Sequence, residues 1–224
     1  MKAFLYASCP IAIWIITALE ALFVLLALRG WFRKKEPLYL LTALVALGLF
    51  YDALILSLGT VMQGGPALAA LSRMRYVAHG ALIPLLFPIC AYALDFNKTW
   101  KTVVWIFTGM LIAAGIAEGF ATALDLREAA GLVRYASGDA TPGWAKAVSG
   151  VLSYGAVVPL ILAGIVVWVK QKTPLLFLSG FLMFAFSALG PASGNFDLIF
   201  YISMYGEVCM ALCFLLYARR KAGT

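Results

Sequence analysis

Residues 38–62 read LYLLTALVALGLFYDALILSLGTVM, a run whose one charged side chain is Asp52. A helix rises 1.5 Å per residue, so about 20 apolar residues cross a bilayer core of roughly 30 Å. Runs of this kind lie on both sides of it, at 5–28, 76–95, 102–124, 147–169, 174–191 and 196–217. The pattern predicts an all-α, polytopic membrane protein of seven transmembrane helices, with residues 1–224 as one membrane domain. Composition agrees: 64% of the residues are hydrophobic and 12% charged, against about 25% charged in soluble domains. The first run continues past Glu20 to Leu28 without a small-residue cleavage site, and reads as a retained span rather than a cleaved leader.

The basic residues set the expected orientation. Arg29, Arg33, Lys34, Lys35, Lys98, Lys101, Lys170, Lys172, Arg219, Arg220 and Lys221 fall on one side, eleven of the seventeen. The positive-inside rule makes that side cytoplasmic, with the N-terminus outside and the C-terminus inside. The net charge of +7 therefore marks topology and not nucleic-acid binding. A multi-pass protein of the cell membrane, with short loops that suit a bacterial inner membrane, is expected. The four cysteines lie inside apolar runs and read as packing residues.

Both the second and the sixth run begin with a proline after a basic loop (Lys35-Glu36-Pro37 and Lys172-Thr173-Pro174). This faint echo suggests a 3+1+3 arrangement. In span count and orientation alone the pattern resembles rhodopsin-like and SWEET-like proteins, and no family motif accompanies it. The seventh run has no mid-helix lysine, which excludes a retinal Schiff base there. The one long connection, 125–146, is expected to form a lid or a short surface helix.

Ionisable residues inside such runs are costly, roughly 2.5–3.5 kcal/mol each on insertion scales, and mark sites. Five acids qualify: Glu20, Asp52, Glu118, Asp197 and Glu207. Arg75 and the single histidine, His79, share a face at i and i+4. Depth along the runs divides these residues. Arg75, His79, Glu118 and Asp197 form an expected outer layer, and Glu20, Asp52 and Glu207 a midplane layer with no cation of its own. Those three are expected to be neutral acids or to meet water, a cation or a ligand, which makes Glu20 and Glu207 candidates for proton coupling. Asp197, Tyr201 and Tyr205 form a polar stripe at i, i+4 and i+8 that is expected to face the interior, with Glu207 off that stripe. Glu118 lies between Gly115 and Gly119, so close helix packing is an alternative role for it.

The chemistry is bounded mainly by exclusion. One histidine cannot supply a bis-histidine haem, and no HExxH, GxSxG or phosphate-loop motif occurs. Neither a metal nor a cofactor is expected. The leading expectation is a transporter- or sensor-like protein, with proton coupling open to it, that binds a small or amphipathic ligand in an outward-facing polar pocket. Asp52, Arg75, His79, Glu118, Asp197, Tyr201 and Tyr205 are the expected ligand-binding residues. An alternative is an intramembrane enzyme acting on a lipid or isoprenoid, with Asp52, His79 and Glu118 as acid/base candidates. A second alternative is a structural subunit of a membrane complex. Expected partners are membrane lipids and the ligand, with no nucleic acid; an oligomer is compatible with the chain.

Overall fold

The computed structural model describes residues 2–192, 194 and 198–223, with the backbone alone for 2–5 and 190. Helices α1 (Lys2–Lys34), α2 (Pro37–Leu58), α3 (Pro66–Leu82), α4 (Leu86–Ala93), α5 (Lys98–Ala121), α6 (Gly143–Gln171), α7 (Leu175–Ala192) and α8 (Ile199–Lys221) account for most of the chain. A 3-10 turn, Ile83–Leu85, joins α3 to α4, so the two form one bent segment, Pro66–Ala93. Pro84 causes the bend, because its ring lacks an N–H and clashes with the preceding turn.

Among the described residues, six helical segments are long and apolar enough to cross a membrane. The expected sixth span is the short one, α7, an apolar helix of 18 residues packed between α6 and α8. Large apolar side chains cover the outside of the bundle, among them Leu25, Ile106, Met110 and Leu162, each about 60% exposed. Lipid is the solvent that suits such a surface, and the architecture is compatible with an integral membrane protein.

The helices run around the bundle in chain order, and α8 closes the ring against α1. The expected 3+1+3 grouping is not seen in this packing, since consecutive helices are neighbours all the way round. Glycines let α3 and α5 cross backbone to backbone. A Cβ on Gly80 of α3 would overlap the backbone of Gly115 of α5, and the reverse holds too. Gly119 meets the backbone at Val77 in the same way, one turn further along.

The two ends of the bundle differ. At the basic end the Tyr217 hydroxyl donates to the Ala93 carbonyl (3.3 Å) and the Gln171 Oε1 (2.9 Å), while Gln171 Nε2 donates to the Ala93 carbonyl (2.8 Å). Lys221 pairs with Asp95 at 2.6 Å beside this latch. Leu41, Ile89, Leu160 and Phe214 pack beneath it into a continuous core.

At the other end the long connection forms a β-hairpin, β1 (Leu124–Ala129) and β2 (Leu132–Ser137), in place of the expected lid or short helix. Ala130 and Gly131 both have positive φ (55° and 73°), the backbone twist a two-residue hairpin turn requires. An isolated hairpin is marginal in water; this one is held by docking. Leu132 is fully buried against Cys9 and Ile13 of α1, and the Val133 N–H donates to the Gly59 carbonyl at the end of α2 (2.9 Å). The Ser137 N–H donates to the Tyr76 hydroxyl of α3 (2.7 Å). Arg73 donates to the carbonyls of Gly119, Phe120 and Thr122, which satisfies the C-terminal groups of α5.

Candidate functional site

The third segment begins at Pro66, ten residues before the expected boundary at 76. Arg75 therefore lies within a helix and not at its mouth, which brings it level with Asp52 of α2. Its Nε is 3.5 Å from Asp52 Oδ1, and the two side chains are 10% and 16% exposed. The Arg75 Nη2 also donates to the Tyr135 carbonyl of β2 at 3.4 Å. The expected separation of a cationic outer layer from an unpartnered Asp52 is thus corrected: Arg75 serves Asp52.

Arg75 and Asp52 line a small chamber of about 160 Å³, together with Tyr76, Arg134, Phe200 and a trio, His79, Ser203 and Glu207. Arg134 enters from the hairpin. Its guanidinium carbon lies 4.2 Å from the centre of the Phe200 ring, a cation–π contact, and its Nε is buried with no hydrogen-bond partner among the described residues. Burial pulls the Arg134 guanidinium down from its ordinary value, and the charge of Arg75 acts in the same direction. Two guanidinium groups, Arg75 and Arg134, thus share the small chamber with two carboxyl groups, Asp52 and Glu207, and the ion pair is Arg75 with Asp52.

The same trio lines a second, larger chamber of about 430 Å³. Its other walls are mainly apolar, among them Val45 and Leu49 of α2, Leu86 of α4, Met183 and Phe184 of α7, and Met210 of α8, with Ser153, Tyr154 and Ser187 as the polar side chains. The volume is within the usual range for small-molecule pockets, about 300–1,000 Å³. Ile83 of the Pro84 bend reaches the same chamber. The two chambers share His79, Ser203 and Glu207 as lining, with the arginines Arg75 and Arg134 on one side of this trio and a mainly apolar volume on the other.

The structure gathers four of the expected residues here: Asp52, Arg75, His79 and Glu207. Glu207 faces this cavity because Ile199, Ser203, Glu207 and Met210 form one face of α8 at three- and four-residue spacing. The Tyr201–Tyr205 stripe occupies another face. Their hydroxyls lie 2.6 Å apart, and Tyr201 is 3.4 Å from the Ser8 hydroxyl of α1. Neither tyrosine lines a chamber described above. Asp197 lies outside the described residues.

Glu118 is buried elsewhere, on α5 beside the glycine crossing, where it accepts a hydrogen bond from Thr122 at 3.0 Å. Glu20 of α1 is 1% exposed, within electrostatic reach of Glu207, and neither of its carboxyl oxygens has a hydrogen-bond partner among the described residues. Removing an unsatisfied buried polar group by an apolar one of similar shape recovers its desolvation cost, about 1–3 kcal/mol. Glu20→Met is therefore expected to raise the thermal midpoint of the detergent-solubilised protein; a lower midpoint would show that the carboxyl has a structural partner.

Arg134, Phe200 and Ser203 were not expected in the site. Ser203 was legible, four residues before Glu207 on the same helix face. Arg134 carried no local signal, since the hairpin that delivers it depends on docking. Within the described residues no group of three or more potential metal ligands comes together. No protein-family model matches the chain, and no curated protein matches it in sequence.

Proposed function

We propose that this is an integral membrane protein of seven spans that holds an amphipathic ligand, with an anionic head group against Arg75 and Arg134 and an apolar portion in the larger chamber. The carrying observation is the pair of guanidinium groups in the small chamber, with the Arg134 Nε buried and unpartnered among the described residues, next to a mainly apolar volume that shares its wall. A buried guanidinium N–H left without an acceptor is costly, and a bound anion offsets that cost. Arginine is well suited to a phosphate or carboxylate, which it meets with paired N–H donors. The role is transporter- or sensor-like. Glu207, with Glu20 within electrostatic reach of it, is the group placed to exchange a proton as a head group binds.

Arg134→Gln tests this reading. Hydrogen bonds to charged groups contribute about 1.5–3 kcal/mol, so binding of oleoyl lysophosphatidate is expected to weaken by roughly 10- to 100-fold. Neutral monooleoylglycerol is expected to bind weakly to both proteins. Arg127→Gln is the control, because Arg127 sits opposite Arg134 in the hairpin register but faces solvent. Equal affinity for the anionic and the neutral amphiphile would sink the proposal.

A second reading is an enzyme acting on a lipid-like substrate. In its favour, His79 and Glu207 project from α3 and α8 where the two chambers meet, the place where a head group joins its chain. Conversion of the bound amphiphile by the wild type and not by Glu207→Gln, with binding retained, would select it. The structural-subunit reading receives less support, because Glu20, Asp52, Glu118 and Glu207 all point into the bundle and not toward lipid.

A further inference from the structure

We infer that the amphiphile reaches its site sideways out of the bilayer, between α6 and α7 on the hairpin side, so that the ligand is a membrane-resident lipid with an anionic head and not a water-borne solute. The inference rests on the amphipathic-ligand reading and names the class of ligand and its route.

The geometry of α6 and α7 supplies the route. Near the basic end the two helices are pinned together: a Cβ on Gly164 would strike the Phe177 backbone, and one on Gly180 would crowd Ile161. The Trp168 and Phe177 rings close the same level, with centroids 5.4 Å apart. Pro159 of α6 follows on the hairpin side of this level. A proline inside a helix deprives the carbonyl four residues earlier of its donor and bends the helix. Beyond Pro159 the apolar chamber lies between the helices, walled by Ser153 and Tyr154 of α6 and Phe184 and Ser187 of α7.

The walls are exposed on one side only. Tyr154 is 68% and Phe184 45% exposed, whereas Val45, Leu49, Leu86 and Met210 on the opposite wall are buried. The chamber therefore opens outward through the α6–α7 face. Val151, Val158 and Leu162 share a face of α6 with Tyr154 at three- and four-residue spacing, and these three, with Phe181 and Leu189 of α7, are all exposed and apolar. Water is the wrong medium for such a rim, and acyl chains are the right one. The latch at the basic end, from Tyr217, Gln171 and Ala93, closes the bundle in the other direction. A chain sliding through the gap brings its head toward His79, Ser203 and Glu207, and beyond them to Arg75 and Arg134, the groups that complement an anion.

Two measurements on the full-length protein in phosphatidylcholine nanodiscs test this. In the first, Ser187→Trp fills the mouth, and affinities for oleoyl lysophosphatidate and for water-soluble butyl phosphate are compared. The expected result is a loss of at least 10-fold for the long-chain probe and a change under 2-fold for the short one. Equal effects on the two probes, or no effect on either, overturn the lateral route. Binding of neither probe by the wild type overturns instead the reading of the site as a receptor for anionic amphiphiles. In the second, wild-type protein is photolabelled with lysophosphatidate carrying a diazirine in mid-chain, so folding of a variant is not at issue. Labelling of Tyr154 or Phe184 is expected; labelling confined to the hairpin overturns the route.

Discussion

Arg75→Met is expected to destabilise the protein by about 3–5 kcal/mol, the cost of leaving one member of a buried ion pair alone. Arg75 is 8% exposed, and its ion-pair partner, Asp52, sits on a different helix at 3.5 Å. Removing the guanidinium strands the carboxylate in a chamber that then holds Arg134 as its only arginine. It also removes the hydrogen bond to the Tyr135 carbonyl, one of the contacts that seat the hairpin. Replacing both partners, Arg75→Met with Asp52→Leu, is expected to recover most of the loss, because a buried pair exchanged for apolar side chains is often neutral or better. Unfolding in a detergent or denaturant titration measures both, and a double-mutant cycle isolates the coupling. Additive losses would show that the two groups do not depend on each other. Binding is a separate readout: the stable double variant should still lose the anionic amphiphile, since one of the two arginines is gone.

The second large effect is expected from a single methyl group. Gly115→Ala places a Cβ against the backbone of Gly80, where no side chain is free to move aside. Relief requires α3 and α5 to separate, and overpacking of this kind costs about 1–3 kcal/mol, occasionally more. The same substitution at Gly109, also in α5, meets nothing within 4 Å. There alanine is expected to be neutral or to stabilise by up to about 1 kcal/mol, the helix-propensity difference. Gly80 adjoins His79 and lies five residues from Arg75, so separating α3 from α5 also shifts the site. Gly115→Ala should therefore lower both the thermal midpoint and the affinity for lysophosphatidate, while Gly109→Ala lowers neither. Equal behaviour of the two variants would mean that the glycine crossing is not what positions α3.

Some of the site was legible before any coordinates, because a charge in an apolar run announces itself. Asp52, His79 and Glu207 were found that way, and Arg75 by its helical spacing from His79. Their partnerships are not legible in the same way, for a definite reason. Ser72, Arg73 and Arg75 lower the local hydropathy, which pushed the expected start of the third span to residue 76. The helix begins at Pro66 instead, with Gly65 at a φ of 94° before it. Proline at the first helical position was a readable start signal, outweighed by the charges that follow. The hairpin was hidden differently. Its turn, Ala130-Gly131, lacks the Asn-Gly or Asp-Gly pair that flags such turns, and its strands pair Arg127 with Arg134, which local rules disfavour.

The sequence by itself determined the helical segments and the end of the bundle at which the basic residues gather. Both are local matters: a backbone in hydrocarbon satisfies its hydrogen bonds within its own helix, and apolar length and flanking charge are read along the chain. Only the tertiary structure decided which acid meets which cation and which helix face lines a cavity. Those depend on the axial offset and rotation of one helix against another, fixed here by the Gly80–Gly115 crossing, the Pro84 bend and the hairpin that carries Arg134 across the bundle. Each is a contact between residues far apart in the chain, and the spacing of residues along one helix holds no information about it.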